Sequence, residues 1–191
     1  MKILNIYTTY NCPFKCKFCF NLDKCDNSSK IDLDYVNEFL SKNANKFDKI
    51  IITGGEPSYL SSTYIEDLIR IVKKYTDNIE FSSYGLSNIV FNDVEYNFSY
   101  DFLSRPRADM MWRKLLDFKK PFSITITLNP LMFRIAPQRI LKTFNLLPYL
   151  RKVSFVPFFQ SKNSKYFIRN DDYKKFMWYI NNYKEKLNYL V

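Results

Sequence analysis

The stretch NCPFKCKFCF, residues 11–20, places Cys12, Cys16 and Cys19 directly after the first predicted β-strand. Three thiolates at this spacing can each ligate one iron of a cubane cluster, which leaves the fourth iron without a protein ligand. Adding Cys25 gives four thiolates, which also suits tetrahedral zinc. All the cysteines fall within residues 12–25, a grouping typical of metal ligands rather than of disulfides spread over a fold.

Beyond this loop, short β-rich segments alternate with helical patterns along the chain. The predicted strands are residues 2–10, 49–53, 79–83, 94–100, 122–128 and 153–159. The predicted helices are residues 33–46, 62–75, 109–118, 137–150 and 171–187. Such alternation predicts an α/β fold with a parallel sheet, and 191 residues suit an incomplete (β/α)6 TIM-like barrel better than a closed eight-unit barrel. We expect one domain over residues 1–191, with its functional loops at the C-terminal strand ends.

Local markers place two helix starts and one buried helix face. Asp32 or Asp34 can cap the first helix, because a short polar side chain accepts hydrogen bonds from the free N–H groups of a helix start. Ser61 or Ser62 can cap the second helix in the same way. Four apolar side chains of the second helix fall at helical spacing and form one stripe: Ile65, Leu68, Ile69 and Val72.

The composition excludes several classes of protein. Histidine is absent, which excludes Ser-His-Asp and Cys-His nucleophile schemes and His-ligated metals. Apolar residues make up 47% of the chain, which excludes a disordered protein. No apolar run approaches the ~20 residues that span a bilayer, and the N-terminus becomes polar too soon for a signal peptide. We therefore expect a cytoplasmic protein with no membrane partner.

The charge is distributed unevenly. Residues 1–101 carry 11 Lys and Arg against 14 Asp and Glu, whereas residues 102–191 carry 18 against 5. A basic C-terminal half favours an anionic substrate or an acidic partner, although a solvated helix surface would look the same. No nucleic-acid-binding motif accompanies the charge, so a nucleic-acid partner is not favoured.

A paired-glycine turn, Gly54-Gly55-Glu56-Pro57, follows the second predicted strand. Paired glycines let the backbone approach a ligand closely and adopt positive φ. Backbone carbonyls and the carboxylate of Glu56 could then hold the ammonium group of a ligand. An ordinary turn would account for the same four residues when they are taken alone.

Taken together, the CxxxCxxC loop and the GGEP turn resemble the signature of radical S-adenosylmethionine (radical SAM) enzymes. The resemblance implies one 4Fe-4S cluster on Cys12, Cys16 and Cys19, with S-adenosylmethionine (SAM) chelating the open iron through its amino and carboxylate groups. One-electron reduction would cleave SAM to methionine and a 5′-deoxyadenosyl radical, which abstracts hydrogen from a substrate. Phe18 matches the aromatic position that packs near the adenine in this family, and the turn at residues 54–56 matches the motif that binds the amino group.

Weaker matches lie at later strand ends. Ser99-Tyr100-Asp101 resembles the Ser-x-Asp of the molybdenum-cofactor and peptide-modifying branches, where these side chains face the ribose or carboxylate of SAM. By the same resemblance Asn129 contacts the ribose, and Val156 and Pro157 line the adenine site. Ser83-Tyr84-Gly85 departs from the Thr-Asn-Gly of relatives. Polar side chains expected at the mouth of the barrel are Tyr84, Tyr100, Asn129, Arg134 and Gln160.

The primary functional hypothesis is a compact radical SAM enzyme that abstracts hydrogen from a peptide or small-molecule substrate, with a flavodoxin- or ferredoxin-type protein as electron donor. No cysteine follows Cys25, so no auxiliary-cluster domain is expected. An activase of a glycyl-radical enzyme is the second hypothesis, since Cys19-Phe20-Asn21 resembles the Cys-aromatic-Asn found there. A deazapurine-pathway enzyme fits the fourth strand end poorly. From a different class, a zinc-stabilised binding module without catalysis would use all four cysteines.

Overall fold

The computed structural model describes residues 1–16, 18, 19, 21, 23, 25, 29–88, 90–100, 105–130, 132–157 and 168–183. The strands in these ranges are β1 (Ile3–Tyr7), β2 (Lys49–Thr53), β3 (Ile79–Ser83), β4 (Glu95–Ser99), β5 (Phe122–Leu128) and β6 (Leu150–Pro157). The α-helices are α1 (Leu33–Asn43), α2 (Ser62–Lys73), α3 (Ala108–Asp117), α4 (Pro137–Phe144) and α5 (Asn170–Tyr183). No helix in the described ranges has both the length and the apolar character needed to cross a membrane.

The strands form a six-stranded sheet in the order β1-β2-β3-β4-β5-β6, with β1–β2, β2–β3 and β5–β6 pairing in parallel. The register places Ile52 of β2 beside Ile6 of β1 and Phe81 of β3, so three buried side chains lie in one row on the same face. Parallel neighbours need crossover connections, which the helices between them supply. The predicted α/β fold with a parallel sheet is confirmed, and the structure adds that the strands follow chain order.

The chain forms two compact units. The first comprises Met1–Lys15 and Cys19–Asn97, and the second comprises Cys16–Phe18 and Phe98–Val191. The division falls inside β4, so each unit contains part of that strand. The prediction of one domain over the whole chain stays a prediction.

In the first unit, the core lies between the sheet and helices α1 and α2. The predicted stripe of α2 is buried, together with Val36 and Leu40 of α1. The caps are Asp32, whose carboxylate accepts from Tyr35 N at 2.9 Å, and Ser61, whose hydroxyl accepts from Tyr64 N at 3.3 Å. Asp34 and Ser62 lie inside their helices instead.

The second unit has a core rich in aromatic rings. Along β5, buried apolar side chains alternate with half-buried Ser123, Thr125 and Thr127, so one face is apolar and the other polar. Phe122 packs against Phe98 with ring centroids 5.6 Å apart. Aromatic pairs at such distances contribute beyond the area that they bury.

On the polar face of the first unit, Lys49 bridges two acidic side chains. Its Nζ lies 2.8 Å from Oε2 of Glu80 on β3 and 2.8 Å from Oε2 of Glu95 on β4. Burial lowers the pKa of Lys49, but the hydrogen bonds and charges of the two glutamates outweigh burial and raise it overall. The ammonium therefore stays charged and links three neighbouring strands.

Several element boundaries differ from those predicted. β1 ends at Tyr7 rather than at residue 10, because Thr9 turns to form an antiparallel bridge with Lys30 and its hydroxyl donates to Ser29 O. α4 ends at Phe144, where successive i→i−3 hydrogen bonds over residues 142–147 tighten the last turn. β6 starts at Leu150, which was predicted as the end of a helix. Residues 158–159 and 184–187 of the predicted elements lie outside the described residues.

We expect Leu68→Ala to destabilise the protein by ~2–5 kcal/mol, because it removes a fully buried side chain from the stripe of α2 and leaves a cavity. The measurement is the urea midpoint of unfolding. Glu66→Ala, an exposed position on the same helix, is the control and should change stability by less than ~0.5 kcal/mol. Equal midpoints for Leu68→Ala and the wild type would contradict the burial of this stripe.

Candidate active site

The paired glycines pack against the backbone that leads into the cysteine loop. Gly55 N donates to Thr9 O at 2.7 Å, and Glu56 N donates to Asn11 O at 2.9 Å. A Cβ on Gly55 would lie 2.4 Å from Asn11 O, and one on Gly54 would lie 2.5 Å from Thr9 O. Gly54 also has a φ of 147°, which side-chain-bearing residues rarely adopt. The positive φ is therefore present at Gly54, and the close approach seen here is to the chain's own backbone; the approach to a ligand stays a prediction.

The carboxylate of Glu56 is buried, with 3% of the residue exposed, and neighbouring donors hold it in place. Its Oε1 accepts from Ser58 N at 3.1 Å, from Ser58 Oγ at 2.5 Å and from Ser83 Oγ at 2.6 Å. Its Oε2 accepts from Tyr84 N at 2.7 Å. Among the residues that the structure describes, no Lys or Arg forms an ion pair with it. A buried carboxylate that lacks a cation partner is suited to receiving a positively charged group from a ligand.

The cysteine loop is closed by a backbone hydrogen bond from Cys12 N to Cys25 O of 3.0 Å. None of the four cysteines forms a disulfide; Cys16 and Cys25 are buried, and Cys12 and Cys19 are half-buried. The thiol of Cys25 donates to Asn21 O at 3.3 Å, a contact within its own loop. In the described ranges, no three Cys, Asp or Glu side chains are grouped closely enough to share a metal ion. The three-cysteine ligand set therefore stays a prediction from the spacing.

In the second unit, Arg105 contacts two of the predicted site residues, Cys16 and Phe18. Its Nη1 donates to Cys16 Sγ at 3.9 Å, and its guanidinium carbon lies 5.0 Å from the centroid of the Phe18 ring. Cys16 and Phe18 are both buried. A cation beside a cysteine sulfur stabilises the thiolate, which is the form that ligates iron.

The other predicted site residues have varied surroundings. Asn129 is buried at the end of β5, where its carbonyl accepts from Met132 N, and Ser99 is half-buried at the end of β4. Tyr100 is a core residue, since its ring packs 5.9 Å from that of Trp112, and it was wrong to expect it at the mouth. Arg134 is exposed. Asp101 and Gln160 lie outside the described residues.

The adenine-site predictions at β6 and the tyrosine at the end of β3 differ in exposure. Val156 is 44% exposed and Pro157 is half-buried. Tyr84 is buried, with its ring centroid 4.2 Å from that of Phe14. Its backbone N–H, rather than its hydroxyl, reaches the carboxylate of Glu56.

Sequence reasoning missed three side chains of this region. Ser58 and Ser83 hold the carboxylate of Glu56, and Arg105 contacts Cys16 from 89 positions along the chain. The contact between Ser58 and Glu56 could have been predicted, because the hydroxyl of a serine in a turn often forms hydrogen bonds to groups nearby in the sequence. No local pattern in the sequence indicates the contact of Arg105.

A family model, the Radical SAM superfamily, matches residues 6–154, a range that contains both the cysteine loop and the GGEP turn. The chain belongs to the radical SAM superfamily. It is therefore an enzyme, and the cofactors of a radical SAM enzyme are SAM and a 4Fe-4S cluster. The residue types present are those that both groups need: the loop carries thiols without a disulfide, a cation lies beside one of them, and Glu56 has a buried carboxylate that could accept an ammonium group.

Solved structures share the fold of this radical SAM enzyme at low sequence identity. SuiB of Streptococcus suis, solved with bound SAM, matches with a TM-score of 0.76 and 14% identity, covering 99% of this chain and 49% of SuiB. SuiB has also been solved with its precursor peptide SuiA, with a TM-score of 0.73. A radical SAM methyltransferase from Sphaerobacter thermophilus has a TM-score of 0.72 and 11% identity, over 99% of this chain and 65% of that protein. These likenesses show the fold and confirm the predicted incomplete-barrel class.

One curated relative is closer in sequence over a short stretch. A protein of Methanocaldococcus jannaschii, named provisionally as a glycyl-radical enzyme activating enzyme, is 38% identical over 66 residues. The match covers 34% of this chain and 25% of that protein. This radical SAM chain thus spans about half the length of SuiB and matches a quarter of its curated relative.

We expect Gly55→Ala to destabilise the protein by ~1–3 kcal/mol, because the added Cβ would overlap backbone atoms of Tyr10 and Asn11, which would have to shift. Thermal unfolding measures the loss, and hydrogen exchange of the amides of residues 55 and 56 should rise. Thr63→Ala, at an exposed position of α2, is the control. Unchanged exchange in Gly55→Ala would argue against the contact with the cysteine loop.

Proposed function

We propose that this radical SAM enzyme abstracts hydrogen from a peptide or small-molecule substrate, with its cluster on Cys12, Cys16 and Cys19 and the SAM amino group on Glu56. The buried carboxylate of Glu56 is the observation that carries the proposal. It has four hydrogen-bond donors from its own chain and no cation partner among the described residues. An ammonium group supplied by a ligand would complete its charge balance.

The cofactors supply a one-electron cleavage of SAM that yields a carbon radical able to abstract hydrogen. The chain supplies the remaining functions. Glu56 binds and orients the amino group of the ligand, and its own four donors fix its direction. Phe18 offers a buried aromatic ring within the cysteine loop, and Ser99 and Asn129 offer polar groups at strand ends for the ribose or carboxylate. Asp101 is proposed for the same role from the sequence alone.

The surroundings of Cys25 favour a three-ligand site over a four-ligand zinc site. The thiol of Cys25 is buried and donates to a carbonyl of its own loop. A cysteine in this position closes the loop from its far end through its backbone, which accounts for Cys25 without metal ligation. Cys12, Cys16 and Cys19 then form the CxxxCxxC set, which leaves one iron open to SAM.

A peptide substrate is favoured within this proposal. SuiB, which has the same fold, binds its precursor peptide. The basic C-terminal half of this chain would attract an acidic peptide or another anionic substrate, and it would also suit an acidic flavodoxin- or ferredoxin-type electron donor. On this basis we propose that the chain belongs with the molybdenum-cofactor and peptide-modifying branch.

An activase of a glycyl-radical enzyme is the second candidate function. The relative from Methanocaldococcus jannaschii carries that provisional name, and the Cys19-Phe20-Asn21 fragment resembles the corresponding activase sequence. The two candidates differ in their substrate. The activase would install a radical on a glycine of a folded partner protein, detectable as a stable organic radical by EPR, whereas the first candidate would leave a modified peptide or metabolite.

We expect Cys12→Ala, Cys16→Ala and Cys19→Ala each to lose the iron–sulfur cluster after anaerobic reconstitution, because each removes a required thiolate, and Cys25→Ala to retain it. Iron and sulfide content per chain, the visible absorption of the cluster and 5′-deoxyadenosine formation with dithionite and SAM are the measurements. A colourless wild-type protein holding one zinc, or equal losses in all four variants, would favour the zinc module and overturn the proposal.

We expect Glu56→Gln to raise the Kd for SAM by ~10- to 100-fold, because a charge-assisted hydrogen bond to the ammonium is replaced by a neutral one. Isothermal titration of the reconstituted enzyme measures this change. Iron content should match that of the wild type. Glu66→Gln, an exposed acid on α2, is the matched control with unchanged affinity. Wild-type affinity in Glu56→Gln, or loss of its cluster, would contradict the assigned role.

A further inference from the structure

Arg105 has surroundings that surface arginines rarely have. It is half-buried, and its Nε is fully shielded from solvent. Its guanidinium lies over the face of the buried Phe18 ring, with 5.0 Å between the guanidinium carbon and the ring centroid. Its Nη1 donates to the buried sulfur of Cys16 at 3.9 Å. A planar, permanently charged group can stack on an aromatic ring and donate from its edge at the same time, which an ammonium group does less well.

The partners of the guanidinium indicate what it does. The guanidinium places a permanent positive charge and an N–H donor beside the sulfur that the CxxxCxxC spacing assigns as a cluster ligand. Hydrogen bonds and charges at the ligand sulfurs are among the factors that set the reduction potential of an iron–sulfur cluster.

We propose that Arg105 is a positioning residue that raises the reduction potential of the cluster, acting through the sulfur of Cys16. The inference rests on the proposed function, since it takes Cys16 as a cluster ligand. Reduction adds one electron to the cluster and makes it more negative. A positive charge and an N–H···S hydrogen bond at a ligand sulfur stabilise the more negative state, so the reduced cluster forms at a less negative potential.

The primary test is an anaerobic redox titration of the reconstituted enzyme without SAM, followed by EPR of the reduced cluster. Arg105→Gln should shift the midpoint potential to a more negative value, since the charge is lost. Arg105→Lys keeps the charge and loses the stacking, so its potential should lie between those of Arg105→Gln and the wild type. Arg107→Gln removes an exposed charge two residues away and should leave the potential unchanged. Equal shifts in Arg105→Gln and Arg107→Gln, or no shift in Arg105→Gln, would overturn the inference.

A second measurement needs no variant that could fail to assemble its cluster. In wild-type enzyme grown with ¹⁵N-arginine, pulsed EPR of the reduced cluster without SAM should detect a ¹⁵N coupling from the guanidinium. Absence of this coupling would contradict the contact between Arg105 and Cys16 and overturn the inference. If Arg105→Gln has the potential of the wild type but binds SAM more weakly, Arg105 acts on SAM rather than on the cluster. That result would also overturn the inference.

These outcomes separate the inference from the function on which it rests. If the wild type shows no EPR signal of a reduced cluster, or Cys16→Ala keeps that signal, the proposed function itself fails. If the wild-type signal is present and is lost in Cys16→Ala, while the potential of Arg105→Gln equals that of the wild type, only the role of Arg105 fails.

Discussion

The contact between the GGEP turn and the backbone before the cysteine loop determines how the first unit is built around its site. Two backbone hydrogen bonds, from Gly55 N to Thr9 O and from Glu56 N to Asn11 O, fasten the end of β2 to the segment that follows β1. The separation between these segments leaves no space for a Cβ. Two of the three glycines in the chain are therefore located where the backbone itself requires them.

Glu56 extends this contact to a third strand. Its backbone N–H belongs to the contact with Asn11, while its carboxylate accepts from Ser83 and Tyr84 at the end of β3. One residue thereby joins the C-terminal ends of three neighbouring parallel strands. In sheets of this kind, ligands bind at that edge, so the ammonium-binding role proposed for Glu56 would add to its role in the fold.

The sequence predicted those parts of the molecule that depend on local or periodic patterns. The strands β2, β3 and β5, the stripe of α2 and the caps at Asp32 and Ser61 follow from alternation, helical spacing and short polar side chains. The end of β1 was not predictable, because it depends on the bridge between Thr9 and Lys30. The partners of Glu56 depend on how a short 3-10 turn after Glu56 directs Ser58, and the contact of Arg105 with Cys16 joins residues far apart in the chain. Tyr100 was misplaced because a tyrosine at a strand end has the same sequence pattern whether it lines a mouth or fills a core.

The hydrogen bonds of the Glu56 carboxylate have a consequence for ligand affinity. A free glutamate side chain loses roughly 1.5–2 kcal/mol of conformational entropy when it is immobilised. Here the immobilisation has already taken place during folding, because Ser58, Ser83 and Tyr84 fix the orientation of the carboxylate before any ligand arrives. The conformational entropy of this side chain is therefore lost during folding, so the proposed binding of a cationic group would not carry that cost a second time.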